Sequence, residues 1–308
     1  MSLIPGVYWT DLGSQLHRKV TLDPGSRGHR RPRIPLDPGS SVTFTMPHHR
    51  HHWHDLPGSL RREVERHTGG TVQAEIVSDG ASCELAVTLE TPSGRVFCKG
   101  GQADGRTAWL YRREARINRW LPDVVPRLRW TVERDGWLLL GFEHVPGRYP
   151  RLDPGSPDLD AVADLLATLA RELTPCPPVE VQPFTTRWHG LIAPELVDGD
   201  TLLHTDMTPR NFLFGDRLRL VDWSAPCRGA AWIDTAFMLV RLIRAGHSPA
   251  NAEAWARQTP AWAQASDDAV TSFASGLVRL WEQRQRSRSA PHRGPLLAAA
   301  RAWSAFRD

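Results

Sequence analysis

Residues 202–223 read LLHTDMTPRNFLFGDRLRLVDW. A short apolar run leads to His204 and Asp206, and Asn211 follows. Phe212–Phe214 then approaches a turn at Gly215-Asp216, and Leu218, Leu220 and Val221 carry the chain on to Asp222. Strand reversal returns the chain to its starting point. The spacing therefore predicts that Asp206, Asn211 and Asp222 face one small volume. One carboxylate to meet an acceptor hydroxyl, with an amide and a second carboxylate to hold magnesium, is the set that phosphoryl transfer needs.

Length and composition leave room for that chemistry. A chain of 308 residues with 41% apolar content can build a large bilobal fold or two domains. Thirteen Trp is a high count, and several fall in helical patterns, so most are expected to pack. The formal charge is +4, and residues 1–45 carry +3 of it (Arg18, Lys19, Arg27, Arg30, Arg31 and Arg33 against Asp11, Asp23 and Asp37). The remainder is close to neutral, so the high pI does not indicate a nucleic-acid-binding face on the folded part. Cys83, Cys98, Cys176 and Cys227 form no CxxC pair. With no signal peptide and no apolar run near about 20 residues, the expectation is a soluble cytoplasmic protein without a membrane partner.

Only two Lys, Lys19 and Lys99, stand among the 38 Lys and Arg. Such a bias suggests GC-rich coding, in which Lys drifts to Arg wherever either serves. Lys99, inside the apolar strand VFCKG, has not drifted. A compact ammonium differs from a guanidinium where it must fit among phosphate oxygens, although a Lys at a strand end is also ordinary.

Residues 1–55 read as a disordered extension, with LDPGS at Leu22–Ser26 and again at Leu36–Ser40, and with Met46 as a possible initiator. The cluster His48, His49, His51, His52 and His54 lacks a Cys or carboxylate set to close a metal site and reads as an exposed polar arm. A first helix is expected over Asp55–His67, with Asp55 as N-cap. Alternation from Val72 to Lys99 predicts three antiparallel strands, and Leu128–Val132 with Trp137–Phe142 adds two. The turn Ser78–Ser82 could close over phosphates through Ser78, Gly80 and Ser82, or be an ordinary hairpin turn. Trp109–Leu121 reads as a helix that could bring Glu114 to Lys99; the alternative is a solvated Glu among Arg112, Arg113 and Arg116. Backbone near Phe142–Val145, including Glu143 and Val145, would form a hinge facing an adenine edge.

Beyond Gly155 helices dominate. Ser156 is placed as the N-cap of a helix whose stripe is Val162, Leu165, Leu166, Leu169 and Leu173. Trp232–Ala245, Pro249–Arg257, Asp267–Gln285 and Pro295–Phe306 follow the central motif as four more helices. The fold class is therefore α+β: residues 56–145 form an N-lobe with a five-stranded antiparallel sheet and a helix, and residues 146–308 form a mainly helical C-lobe with a catalytic hairpin.

Taken together, these residues resemble the aminoglycoside phosphotransferase family, within the protein-kinase-like fold. His204-Thr205-Asp206 through Asn211 looks like its catalytic loop, and Val221-Asp222-Trp223 like its magnesium motif. The stretch from Gly199 to Ala236 looks close to actinobacterial members of undefined substrate. The resemblance covers about residues 56–308. It departs from the family in a nucleotide loop without several glycines and in Trp223-Ser224 after Asp222. It implies ATP and Mg2+ as cofactors, with Lys99 on the phosphates, Glu114 holding Lys99, Asn211 and Asp222 on the metal, Asp206 as base, His204 as a structural residue and Asp234 as a brace. The partner it implies is a small hydroxyl acceptor, on a monomer or weak dimer. The alternative is a nucleotide-binding module without turnover. Asp234 follows Asp222 too closely for the activation segment of a protein kinase. The acceptor that the resemblance implies is an aminoglycoside-like antibiotic or a hydroxylated metabolite. From Trp232 to Asp308 ten Arg face six acids, which argues mildly against a polycationic antibiotic, while Glu195, Asp198 and Asp200 just before the loop could still form an acidic patch.

Lys99→Arg tests the argument from lysine scarcity. The variant is expected to lose phosphoryl transfer, and a wild-type rate would contradict it.

Overall fold

The structure, a computed structural model, describes residues 51–70, 73–77, 83–287 and 292–308. Residues 1–50, including His48 and His49, and the turn carrying Ser78, Gly80 and Ser82 lie outside the described residues.

The first half of the described chain builds one sheet. A 3-10 turn at Trp53–Asp55 and α1 (Gly58–Thr68) precede β1 (Gln73–Ile76), β2 (Leu85–Thr91) and β3 (Gly94–Gln102). Next come α2 (Ala108–Asn118), β4 (Leu128–Arg134) and β5 (Trp137–Glu143). The five strands are antiparallel in the order β1-β2-β3-β5-β4. Asp135 and Gly136, both at positive φ, form the two-residue turn between β4 and β5.

Alternation along the strands decides what each face carries. Leu85, Val87, Leu89, Val96 and Cys98 pack on the outer face beneath Leu60 and Val64 of α1. Phe97 and Lys99, one register position out of phase, belong to the opposite face. There Tyr111 of α2 packs with Leu138, Leu140 and Phe142. The sheet's pleat thus sends Lys99 toward the interior of the molecule rather than into the α1 core.

Two N-terminal expectations need correction. The extension does not run to residue 55, because Trp53 and Leu56 are buried in the core under α1 and His51 N–H donates to Glu84 O (2.9 Å). Asp55 does not cap α1. Pro57 occupies that position, and the Asp55 carboxylate accepts from His52 N–H within the 3-10 turn (3.2 Å).

Helices supply most of the second half. α3 (Asp158–Glu172), β6 (Gln182–Pro183), α4 (Phe184–Arg187), β7 (Thr201–Leu203), β8 (Phe212–Phe214), β9 (Leu218–Leu220) and β10 (Cys227–Gly229) lead to α5 (Ile233–Arg244), α6 (Pro249–Ala256), α7 (Asp267–Ser287) and α8 (Arg293–Arg307). Pro157 takes the cap position of α3, while Ser156 Oγ accepts from Asp158 N–H (3.3 Å). A small sheet, β6-β10-β7, was not anticipated from the sequence. α5 is almost wholly buried and runs through the core. Trp188 stacks 4.8 Å from Phe273 and 5.0 Å from Phe184, so aromatic rings bind α4 to α7. Ten of the twelve Trp among the described residues are buried, which places them in packing roles. No helix among the described residues is long and apolar enough to cross a membrane.

Gly141 on β5 lies beneath the Trp130 indole, where an added Cβ would fall 2.0 Å from the ring. Gly141→Ala is expected to lower unfolding free energy by about 1–3 kcal/mol, read from urea denaturation. An unchanged midpoint would show that the indole can move aside.

Candidate active site

The hairpin β8–β9 pairs Phe212 with Leu220, which sets Asn211 beside Val221 at its open end. Val221 N–H donates to Asn211 O (2.8 Å), and Asp222 follows at once. β7, buried throughout, delivers His204 to the same place. The reversal thus gathers residues 204–211 and 221–223 because the strands between them are three residues long.

Lys99 comes from the sheet and Glu114 from α2. The Lys99 Nζ lies 2.8 Å from Glu114 Oε2 and 2.9 Å from Asp222 Oδ1, with Lys99 and Glu114 buried. Burial alone would push Lys99 toward the neutral form, but the Asp222 and Glu114 carboxylates outweigh it and hold its pKa well above the usual lysine value. Burial opposes ionisation of Asp222 too, yet the ammonium holds its carboxyl below the ordinary range. Burial holds Glu114 above the ordinary carboxylate value, against the opposing pull of Lys99 and the Trp223 N–H. Glu114 Oε1 accepts that N–H at 3.1 Å, so one carboxylate holds both the ammonium and the residue after Asp222.

Asp206 is held from several sides. Asn211 Nδ2 donates to Asp206 O (2.9 Å) and to Oδ2 (3.2 Å). His204 Nδ1 accepts from Asp206 N–H (3.2 Å), so the ring's proton sits on Nε2 and is donated to Val221 O (3.0 Å). The Asp234 carboxylate accepts from His204 N–H (2.8 Å) and Thr205 N–H (2.9 Å). Two non-glycine residues here occupy the left-handed region, Thr205 at φ 68° and Asp222 at φ 65°. Such backbone costs energy and persists where surrounding bonds over-determine it, as the Asp234 and Glu114 contacts do here.

A cleft of about 270 Å³ opens beside this loop; Lys99, Asn211, Asp222, Phe142, Val145 and Tyr149 are among the residues that line it, and Asp206 is not. Glu143 also lines it. Its N–H is engaged by Arg127 O (2.8 Å) and its carboxylate by Arg219 of β9 (3.0 Å). Among the described residues, no group of three or more His, Cys, Asp or Glu could hold a metal. Asn211 turns its amide nitrogen to Asp206, which presents its Oδ1 on the other side, and the Asp222 side chain keeps 23% exposure. One amide oxygen and one carboxylate fit magnesium, which takes few protein ligands and keeps water and phosphate oxygens.

Of the residues singled out from sequence, Lys99, Glu114, Asn211 and Asp222 line the cleft, and so do Glu143 and Val145. His204 and Asp234 lie beneath the loop of Asp206. Sequence reasoning missed Arg113 and Arg187. Arg113 donates to Ser224 O. Arg187 donates to Thr205 Oγ1, Ala225 O and Pro226 O. With 38 Lys and Arg in the chain and nearly all of them Arg, nothing marks those two.

Burial lowers the pKa of His204. The unfolded chain takes up that proton near pH ~6.5, and the folded chain only at lower pH. The stability tied to neutral His204 is therefore complete above that value and is lost as pH falls below it. Denaturation midpoints measured between about pH 7.5 and 5.5 are expected to fall less steeply in His204→Gln than in wild type. Equal slopes would contradict the assignment.

No protein-family model matches the sequence, and no curated protein is similar to it. Solved structures do resemble the fold. An aminoglycoside phosphotransferase described as putative, from Ralstonia eutropha, superposes with a TM-score of 0.54 at 13% identity, covering 81% of this chain and 95% of its own. The choline kinase LicA of Streptococcus pneumoniae gives 0.52 at 13% identity over 80% of this chain and 100% of its own. The aminoglycoside phosphotransferase APH(4)-Ia gives 0.50 at 13% identity over 79% and 98%. A five-stranded antiparallel sheet with its helices, followed by a helical lobe, thus makes this a protein-kinase-like fold of the kind seen in aminoglycoside phosphotransferases and choline kinase.

Proposed function

We propose that this chain is an ATP-dependent phosphotransferase that moves the γ-phosphoryl group to a hydroxyl of a small molecule, acting in the cytoplasm as a monomer or weak dimer. The observation that carries this reading is the buried Lys99 ammonium, 2.8 Å from Glu114 and 2.9 Å from Asp222, on the cleft that Asn211 also lines. A fold by itself does not dictate chemistry, so the argument rests on these side chains. The kinase and phosphotransferase names of similarly folded structures agree with it.

Each residue then has a task. Lys99, fixed by Glu114, contacts the α- and β-phosphate oxygens. Asn211 and Asp222 would hold Mg2+, which when bound would neutralise charge on the phosphates. Asp206 orients the acceptor hydroxyl and takes its proton on a carboxylate oxygen as transfer proceeds. His204 and Asp234 keep that carboxylate in place. Positioning and charge neutralisation supply most of the rate, because the transferring group is loosely bonded and anionic. The excess of Arg over acids after Trp232 favours an acceptor that is not a polycation.

Incubation with ATP, MgCl2 and a panel of hydroxylated metabolites and natural products, read by mass spectrometry, is expected to show one acceptor gaining one phosphoryl group. ATP binding without any phosphorylated product across the panel would favour a binding module. With that acceptor, Asp206→Ala should lower kcat by on the order of 10³-fold or more while ATP binding persists. Full activity in that variant would remove Asp206 from its role.

A further inference from the structure

Arg187 has no role in the chemistry described above, yet it is 2% exposed and sits at the end of α4. No Arg187 ion pair with a carboxylate occurs among the described residues. Its fork reaches backbone and hydroxyl oxygens instead: Nη1 to Thr205 Oγ1 and to Ala225 O, and Nη2 to Pro226 O, each at 2.9 Å. Thr205 Oγ1 donates in turn to Ala225 O (2.7 Å). Arg187 Nε is buried without a partner among the described residues. A buried guanidinium with part of its donor set unsatisfied is costly unless the groups it reaches matter.

Those groups belong to two different loops. Thr205 immediately precedes Asp206 and holds the left-handed backbone at φ 68°. Ala225 and Pro226 follow closely on Asp222, itself at φ 65°. The intervening residues are gripped from the other side, Trp223 by Glu114 and Ser224 by Arg113, both on α2. The segment 223–226 is thus held by three charged side chains in succession, and only Arg187 also touches the loop of Asp206.

We propose that Arg187 is a positioning residue that locks the Asp206 loop to the Asp222 loop and so sets the spacing between proton acceptor and metal ligands. This rests on the phosphotransferase reading above. The rigid planar fork suits the task, since it directs parallel donors at two neighbouring carbonyls and a hydroxyl in a way that a lysine ammonium cannot reproduce. Burial, with the charge of Arg187 next among the causes, lowers the pKa of Arg113 to about 10, which agrees with two guanidinium groups flanking the same strip of backbone.

The test measures binding of a fluorescent ADP analogue, with EDTA and then with MgCl2, beside thermal melting, in wild type, Arg187→Lys and the pair Thr205→Val and Thr205→Ser. In wild type Mg2+ should tighten binding. In Arg187→Lys, affinity in EDTA should stay near wild type, while the tightening by Mg2+ falls by about 10–100-fold, the usual loss when the support of a metal ligand is removed. Thr205→Val should move the same way, and Thr205→Ser, which restores the hydroxyl, should recover toward wild type. The threonine pair carries the test if Arg187→Lys does not fold. A lower melting temperature with the Mg2+ response intact would make Arg187 purely structural and overturn the proposal. A wild-type protein that binds the analogue under neither condition would overturn the phosphotransferase reading and this inference with it.

Discussion

Three charges meet at Lys99, and much of the molecule is arranged to bring them there. The strand pleat turns the ammonium toward the cleft, α2 brings Glu114 against it, and the reversal at β8–β9 returns Asp222. Withdrawing such groups from water is expensive, and removing one partner from a buried pair typically costs about 3–5 kcal/mol because the other charge is stranded. An apolar core would fill that space at less expense. A buried cation with two carboxylates, facing a cleft, is therefore better explained by what must bind there than by stability.

Backbone strain follows the same logic. Thr205 and Asp222 both adopt left-handed φ values, a conformation most costly for the β-branched Thr205, and they lie beside the proposed base and on the proposed metal ligand. Each is clamped by hydrogen bonds from elsewhere in the chain: Asp234 on the N–H groups of 204 and 205, Glu114 on Trp223 N–H, and Arg187 on both loops. Side-chain carboxylates and a guanidinium thus stand in for the secondary structure these loops lack.

Much of this is legible in the sequence, for definite reasons. Period-two alternation in the sequence places Val96 and Cys98 on one face and Lys99 on the other. The turn at Gly215-Asp216 sets the register that joins Asn211 to Val221. An apolar stripe of helical period marks α3, and a nearly continuous apolar run marks α5 as a buried helix. What is missed carries no local signal. β6, β7 and β10 are two or three residues long, too short for any period to show. Arg187 and Arg113 are two among dozens of arginines, and their roles arise from loops distant in sequence. Trp53 lies in a histidine-rich stretch of polar character, and its burial depends on a core supplied by α1 and the sheet.

A crystal structure with MgCl2 and a non-hydrolysable ATP analogue tests the central claim most directly. The account predicts the triphosphate against Lys99, the metal ligated by Asn211 Oδ1 and Asp222, and the terminal phosphate facing Asp206. A nucleotide bound outside this cleft, or a metal in it that touches neither Asn211 nor Asp222, would contradict the account.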